Sequence, residues 1–322
     1  MKAIRSDLAP LAVGSAPAAG LTDALSSAAG YALNEKADAT RRAYRSDLRH
    51  FAAWCETVRA VALPAQPATV AGYLASMADS GLKASSIMRR AAAIAYAHKL
   101  GGFEPPISES VKAIMRGIRR KLGTARKGKA PATAAIVAKL TRKLPDTLAG
   151  KRDRALILIG FAAALRRSEL VALNVGDVER NDSGVFLHIR RSKTDQEGAG
   201  ALIAVPDGKK LKPVEALDAW LTAAGIRDGA LFRGIDRGGG LGERLTGQSV
   251  ALIVKRWAKA ARVDPTLFSG HSLRSGFVTS ALEDGADVFK VMDVTRHRAV
   301  ATLREYDRRA KAFKDHAGKG FL

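Results

Sequence analysis

The sequence predicts a mainly α protein with a small antiparallel β-sheet, built as a helical domain followed by an α+β domain. Three observations carry this. The chain has 322 residues, and at roughly 100–200 residues per domain two domains are expected. It is 47% hydrophobic yet only 6% aromatic, and its many alanines favour helix. Its strand-like runs are few, short and grouped in the second half.

Residues 1–34 are rich in Ala, Gly and Ser and read as a flexible tail. Lys2 and Arg5 before small residues resemble a signal peptide faintly, but Asp7, Pro10 and Pro17 break any apolar stretch there. A helix over 40–60 follows, with Tyr44, Leu48, Phe51 and Cys55 on one face. Pro67 can open a second helix carrying Val70, Leu74 and Met77. Ser85 or Ser86 can cap a third, through Ile87, Ala91, Ile94 and His98 to Gly101. Pro105 and Pro106 force a break. Ser108 can cap a fourth helix with Val111, Ile114, Met115, Ile118 and Leu122 inward. The helical domain is therefore placed at 35–122, a basic linker at 123–131 and the second domain at 132–322.

In the second domain, helices are expected at 133–144, 150–165 and 167–173. Strand-like runs follow at Val175–Glu179, Val185–Arg190 and Ala201–Val205. Helices return at 213–224, 246–261, 271–284, 287–295 and 299–307. The Gly-rich stretch Gly234–Gly242 lacks the Gly-Lys-Ser/Thr ending of a P-loop and reads as a mobile loop.

The formal charge is +22. Residues 1–130 hold 20 basic and 9 acidic side chains, and 131–322 hold 33 and 22, so each part carries +11. Charge spread over both domains suits one shared polyanion better than a membrane surface, which would select a single amphipathic helix. Lys112–Lys129 contains eight Lys or Arg and no Asp or Glu, leaving its cations without partners inside the run. Its Arg116, Arg119, Arg120, Lys121, Lys127 and Lys129, with Arg41, Arg42, Arg45, Arg89 and Arg90 from earlier helices, are the candidate DNA contacts. The single cysteine, Cys55, excludes a disulfide framework and points to a reducing compartment, the cytoplasm. The longest strongly apolar run, Ala155–Leu165, is far short of the ~18 residues of a membrane span and reads as a buried helix.

Four short patterns bear chemistry. Arg166 and Glu169 share a helix face, so the carboxylate can hold the guanidinium; alone, this is a common surface ion pair. His271 and Arg274 lie at i and i+3 in a helix that Ser269 or Gly270 can start, where free N–H groups favour an anion. Lys193 falls at the tip of a predicted hairpin, an ordinary place for a solvated lysine. His297 and Tyr306 lie nine residues apart, and Tyr306 is the only tyrosine beyond residue 130, in the polar setting Leu303-Arg304-Glu305-Tyr306-Asp307.

In this order the residues resemble the tyrosine recombinase, or lambda-integrase-like, family over nearly the whole chain after the tail. Phe268-Ser269-Gly270-His271-Ser272-x-Arg274-x-Gly276 and Arg191-Ser192-Lys193-Thr194 look most like its Cre branch. The resemblance implies that Arg166 and Arg274 are paired arginines, His271 the middle histidine and Lys193 the hairpin lysine. It also implies that His297 fills the His/Trp position and that Tyr306 is the nucleophile. Two departures stand out. The family commonly has Thr-Gly-Leu-Arg where this chain has Ala163-Ala164-Leu165-Arg166, and Leu-Gly-His where it has Thr295-Arg296-His297.

The implied fold is a helical core-binding domain plus an α+β catalytic domain that together clamp DNA. The implied activity is site-specific recombination through a 3′-phosphotyrosyl bond, with no metal and no cofactor. The expected partner is a double-stranded recombination site, bound by a homotetramer on two duplexes. Without DNA the protein is expected as a monomer or weak oligomer, in a bacterial, plasmid or phage context. A type IB topoisomerase or hairpin telomere resolvase shares the chemistry, and a DNA-binding protein that has lost catalysis is the alternative of another class.

Overall fold

The computed structural model describes residues 35–125, 128–190, 200–297, 299, 300 and 303. The tail expected at 1–34, the hairpin tip with Lys193 and the segment with Tyr306 lie outside them. The chain divides into two compact units between Lys127 and Gly128.

The first unit is four helices: α1 (Asp38–Thr57), α2 (Pro67–Asp79), α3 (Ala84–Leu100) and α4 (Glu109–Leu122). Their stripes meet in one core of Phe51, Cys55, Val70, Tyr73, Leu74, Ile87, Ile94, Val111 and Ile118. Pro67 stands in the first turn of α2, where its missing N–H costs nothing. Ser108 caps α4 by accepting the Val111 N–H. Neither Ser85 nor Ser86 caps α3, because that helix already starts at Ala84 and Lys83 holds the cap position. Ile114 and Leu122, expected inward, are exposed. The buried face runs through Val111, Met115 and Ile118, which leaves Ile114 beside the stripe and Leu122 on the last, open turn. His98 is a satisfied core histidine: its Nε2 accepts the Ala65 N–H at 2.8 Å and its Nδ1 lies 2.8 Å from the Ile94 carbonyl.

The second unit opens with α5 (Ala134–Thr141), α6 (Leu148–Ala162) and α7 (Arg167–Ala172). Residues 155–161 of α6 are buried on every side, which explains their uninterrupted apolar run. A 3-10 turn stands at Val175–Asp177 where a strand was expected. There Asp177 accepts the Asn174 N–H at 2.8 Å, and this side-chain bond diverts the backbone from a ladder. The strands are β1 (Val178–Asn181), β2 (Gly184–Ile189) and β3 (Ala201–Pro206), antiparallel in that order. Val185, Leu187 and Ile189 pair with Val205, Ile203 and Ala201, placing one apolar face on the core. Then come α8 (Pro213–Ala224), a hairpin of β4 (Arg233–Ile235) and β5 (Leu241–Arg244), α9 (Gly247–Ala260), α10 (Ser272–Glu283) and α11 (Val288–Thr295). The β4–β5 hairpin corrects the expectation of a mobile Gly-rich loop. Asp236 ties its turn by accepting the Gly240 N–H, and Arg233 donates across it to the Gly242 carbonyl. No helix among the described residues is long and apolar enough to cross a membrane.

One glycine fixes how α10 sits. A Cβ on Gly276 would overlap the backbone carbonyl of Ala132, whose N–H bonds to the Ser272 carbonyl at 2.8 Å. The chain entering the second unit is thus pressed against the helix that carries Arg274. Gly276→Ala is expected to destabilise the protein by about 2 kcal/mol or more, because backbone cannot yield as a flexible side chain does. Denaturant unfolding of the two proteins checks this, and an unchanged midpoint would refute the close approach.

Candidate active site

Arg166 caps the N-terminus of α7, and Glu169 sits at that helix's third position. Glu169 Oε1 accepts Arg166 Nη1 at 2.7 Å, and Oε2 accepts the Arg166 backbone N–H at 2.9 Å. The pair read from sequence as a possible surface ion pair is therefore a buried clamp, with the carboxylate almost wholly enclosed. A second cation shares it: Arg296 Nη2 donates to Glu169 Oε2 at 2.7 Å. Burial pushes the Glu169 carboxyl up, but Arg296 and the bonds from Arg166 outweigh it, and the group stays below its ordinary value.

Arg274 leaves the first turn of α10 and is 1% exposed. Its Nη1 donates to the Ala164 carbonyl at 2.7 Å, and its Nη2 donates to the Thr295 carbonyl. The Ala164 carbonyl lies just past the C-cap of α6 and the Thr295 carbonyl on the last residue of α11, so the C-terminal ends of two helices meet at the guanidinium. Arg274 Nη2 also lies 3.3 Å from His297 Nε2, and His297 Nδ1 is 2.8 Å from Thr295 Oγ1. This geometry suits a neutral ring with its proton on Nδ1. Burial, then Arg274 and Arg166, hold His297 down at about 4.

His271 stands at the cap position of α10 and is exposed. The helix begins at Ser272, later than a Ser269 or Gly270 start; Ser269 Oγ instead accepts the His271 N–H at 3.2 Å. Desolvation, then Arg274 and Arg166, lower the His271 imidazole. Arg274 and His297 are in contact, and both histidines lie within electrostatic reach of Arg166 and Arg274. Two guanidiniums with neutral imidazoles suit a phosphodiester whose non-bridging charge must be stabilised. Among the described residues no His, Cys, Asp or Glu cluster is spaced to hold a metal ion.

Lys193 and Tyr306 lie outside the described residues. Ile189 ends β2 and Ala201 begins β3, so Lys193 belongs to the connection between them. Leu303, three residues before Tyr306, is buried with Val278, Leu282 and Val291.

The sequence did not flag Ala164 or Arg296 as site residues. Both have positive φ, 47° and 56°, and end helices in the left-handed conformation. They occupy the two positions where the chain departs from the common glycines, and that departure was the available signal. A left-handed residue with a side chain costs about 1–2 kcal/mol.

The candidate DNA contacts differ in their surroundings. Arg42, Arg45, Arg116, Arg119, Arg120 and Lys121 are exposed. Arg41 pairs with Asp38. Arg89 makes a two-bond fork on buried Asp47 at 2.8 and 2.9 Å. Arg90 is turned inward, donating to the Tyr73 hydroxyl at 2.9 Å. Lys129 donates to the Thr266 carbonyl at 2.6 Å, and Lys127 lies outside the described residues. Lys112 and Arg116 share Glu109, just upstream of the basic run, so its first cations are paired after all.

Residues 133–312 match the phage integrase family, and residues 30–100 match the phage integrase N-terminal SAM-like domain. An integrase/recombinase XerD homologue of Selenomonas ruminantium is 40% identical over 292 residues, covering 88% of this chain and 85% of that protein. The Cre recombinase of Escherichia phage P1 is 26% identical over 281 residues, 81% of each chain. The fold is similar to XerH recombinase bound to its difH substrate, with a TM-score of 0.59, 18% identity and coverage of 77% and 70%. It is also similar to a lambda integrase dimer on a core site, with a TM-score of 0.56, 16% identity and coverage of 85% and 89%.

Proposed function

This chain belongs to the phage integrase family and is a tyrosine site-specific recombinase, and we propose that it cuts and rejoins DNA through Tyr306. The supporting observation is the convergence of Arg166, Arg274, His271 and His297, with Glu169 behind Arg166. The arginines neutralise the non-bridging oxygens of the scissile phosphate as charge grows there. The Tyr306 oxygen bonds to phosphorus, the 5′-oxygen leaves with a proton from Lys193, and a 3′-phosphotyrosyl bond results. His271 accepts the phenol proton or donates to the phosphate. His297 Nε2 faces a donor in the resting site, so it becomes a donor to phosphate by taking up or relocating a proton. The covalent bond stores the phosphodiester energy, so a new 5′-hydroxyl can be joined without ATP or metal.

The assembly proposed is a homotetramer on two duplexes, from a monomer or weak oligomer without DNA. The hairpin and histidine motifs support a Cre-type site, whereas overall identity is higher to the XerD homologue. Bacterial and phage relatives support work in a bacterial cytoplasm. The relatives named above are recombinases and integrases, so a topoisomerase or resolvase role is not favoured.

The test is to incubate the full chain with a random duplex library, denature, recover DNA bound to protein and sequence it. One enriched inverted-repeat site is expected; adducts without any sequence preference would point to topoisomerase action. Neutralising Arg119, Arg120 and Lys121 together should weaken binding to all sequences and lower the salt slope by about 0.9 per lost phosphate contact. A filter-binding salt titration with an unchanged slope would show that this exposed run faces away from DNA.

A further inference from the structure

Arg296 sits where a glycine would be easier. Its φ is 56°, and its Nε and Nη1 are buried without a partner among the described residues. Both features burden the fold, and a strained residue beside a reactive site invites a functional explanation. Among the described residues the one bond its guanidinium makes runs to Glu169 Oε2, on the carboxylate that clamps Arg166 through Oε1.

Glu169 alone would position Arg166 but also cancel its charge. A single carboxylate facing a single guanidinium leaves little attraction for a third, anionic group. With Arg296 on the other oxygen, the cluster of Arg166, Glu169 and Arg296 keeps one net positive charge, to which Arg274 adds another. Resting on the recombinase reading, we propose that Arg296 is a positioning residue: it neutralises Glu169 from behind, so that Glu169 aligns Arg166 on the scissile phosphate without quenching it. Arg296 acts through Glu169 and does not touch DNA.

The test is a cycle of wild type, Arg296→Gly, Glu169→Gln and the double variant, each as the full chain. Its first arm needs no DNA. Denaturant unfolding should show coupling between the two changes, while Arg296→Gly alone stays near the wild-type midpoint because the glycine relieves the strained φ. Additive effects on unfolding would overturn the pairing. The second arm is single-turnover cleavage of a nicked duplex carrying the site that the wild-type protein selects by covalent trapping. Arg296→Gly should slow cleavage roughly tenfold to a hundredfold, as a small misplacement of an aligned group does. The same change in the Glu169→Gln background should have much less effect. Arg296→Lys should recover part of the rate, since it returns the charge without the fork.

Cleavage by Arg296→Gly at the wild-type rate, or losses that simply multiply, would overturn the proposal. So would a salt slope for binding that falls by about 0.9, since that marks a direct phosphate contact. A wild-type protein that traps no duplex from the library would instead refute the recombinase reading, leaving the unfolding arm to decide the Arg296–Glu169 pairing.

Discussion

Tyr306→Phe should bind the recombination site as wild type does and form no denaturant-resistant adduct. The ring is unchanged, so DNA affinity should survive, while the only atom lost is the oxygen proposed to attack. A phenol with a pKa near ~10 is a weak nucleophile at neutral pH, and in the proposed mechanism its reactivity depends on a phosphate made electrophilic by Arg166 and Arg274. The other tyrosines with described positions are engaged elsewhere. Tyr73 is fully buried with its hydroxyl on Arg90 and His50, and burial pushes it up despite Arg90. Tyr96 is pushed up to about 12 by burial and then by Glu35, which accepts a hydrogen bond from its hydroxyl. Tyr44 packs at a tilt against Tyr96, with ring centroids 5.6 Å apart. The hydroxyls of Tyr73 and Tyr96 are thus engaged by partners inside the first unit. Gel electrophoresis of trapped complexes under denaturing conditions reads the result, and an adduct that persists in the variant would remove Tyr306 from the mechanism.

How far the site could be read from sequence depends on how far apart its partners lie. Arg166 and Glu169 are three residues apart on one helix, so their contact follows from helical geometry. Arg296 reaches the same carboxylate from 127 residues away, and no local pattern announces that. Asp47 is similar: it looks like one more charge on α1, yet it is buried under the Arg89 fork contributed by α3. The fold shows the same division. The stripes of α1, α2 and α3 and the cap at Ser108 are local, and their cores form as patterned. The β4–β5 hairpin was hidden by its glycines, because it is held by bonds from Arg233, Asp236 and the Leu245–Phe232 backbone contact rather than by strand propensity. At Val175 a β-branched residue suggested a strand, and the Asn174–Asp177 side-chain bond overrode it. That bond was legible as Asn-x-x-Asp. Buried Asp177 also takes Arg190 Nε at 2.6 Å, which anchors the end of β2 where the chain departs toward Lys193.

Lys193→Ala should cleave ordinary DNA about 10²–10⁴-fold more slowly, the usual range for losing a general acid. The leaving 5′-oxygen is an alkoxide unless something protonates it, and the described part of the site offers no better donor. His297 is held down at about 4 and is therefore neutral near pH 7. His271 is lowered from 6.5 by desolvation, Arg274 and Arg166, so it too is mostly neutral there. Both are better suited to accepting or sharing a proton than to delivering one. A guanidinium is too weak an acid for this task. A lysine on the connection between β2 and β3 remains, and its ammonium can give up a proton as charge builds on the oxygen. Replacing that bridging oxygen with sulfur separates this role from every other. A thiolate leaves unaided, since thiols have a pKa near ~8.5, so the sulfur substrate should restore cleavage by Lys193→Ala toward the wild-type rate. Arg166→Ala should stay slow on the same substrate, because its loss falls on the non-bridging oxygens. Single-turnover rates on paired oxygen and sulfur duplexes give the comparison. If sulfur rescues a different lysine variant, the acid has been misassigned within the chain. If it rescues none, the proton comes from His271 or His297, and one of those rings must gain a proton when the phosphate enters.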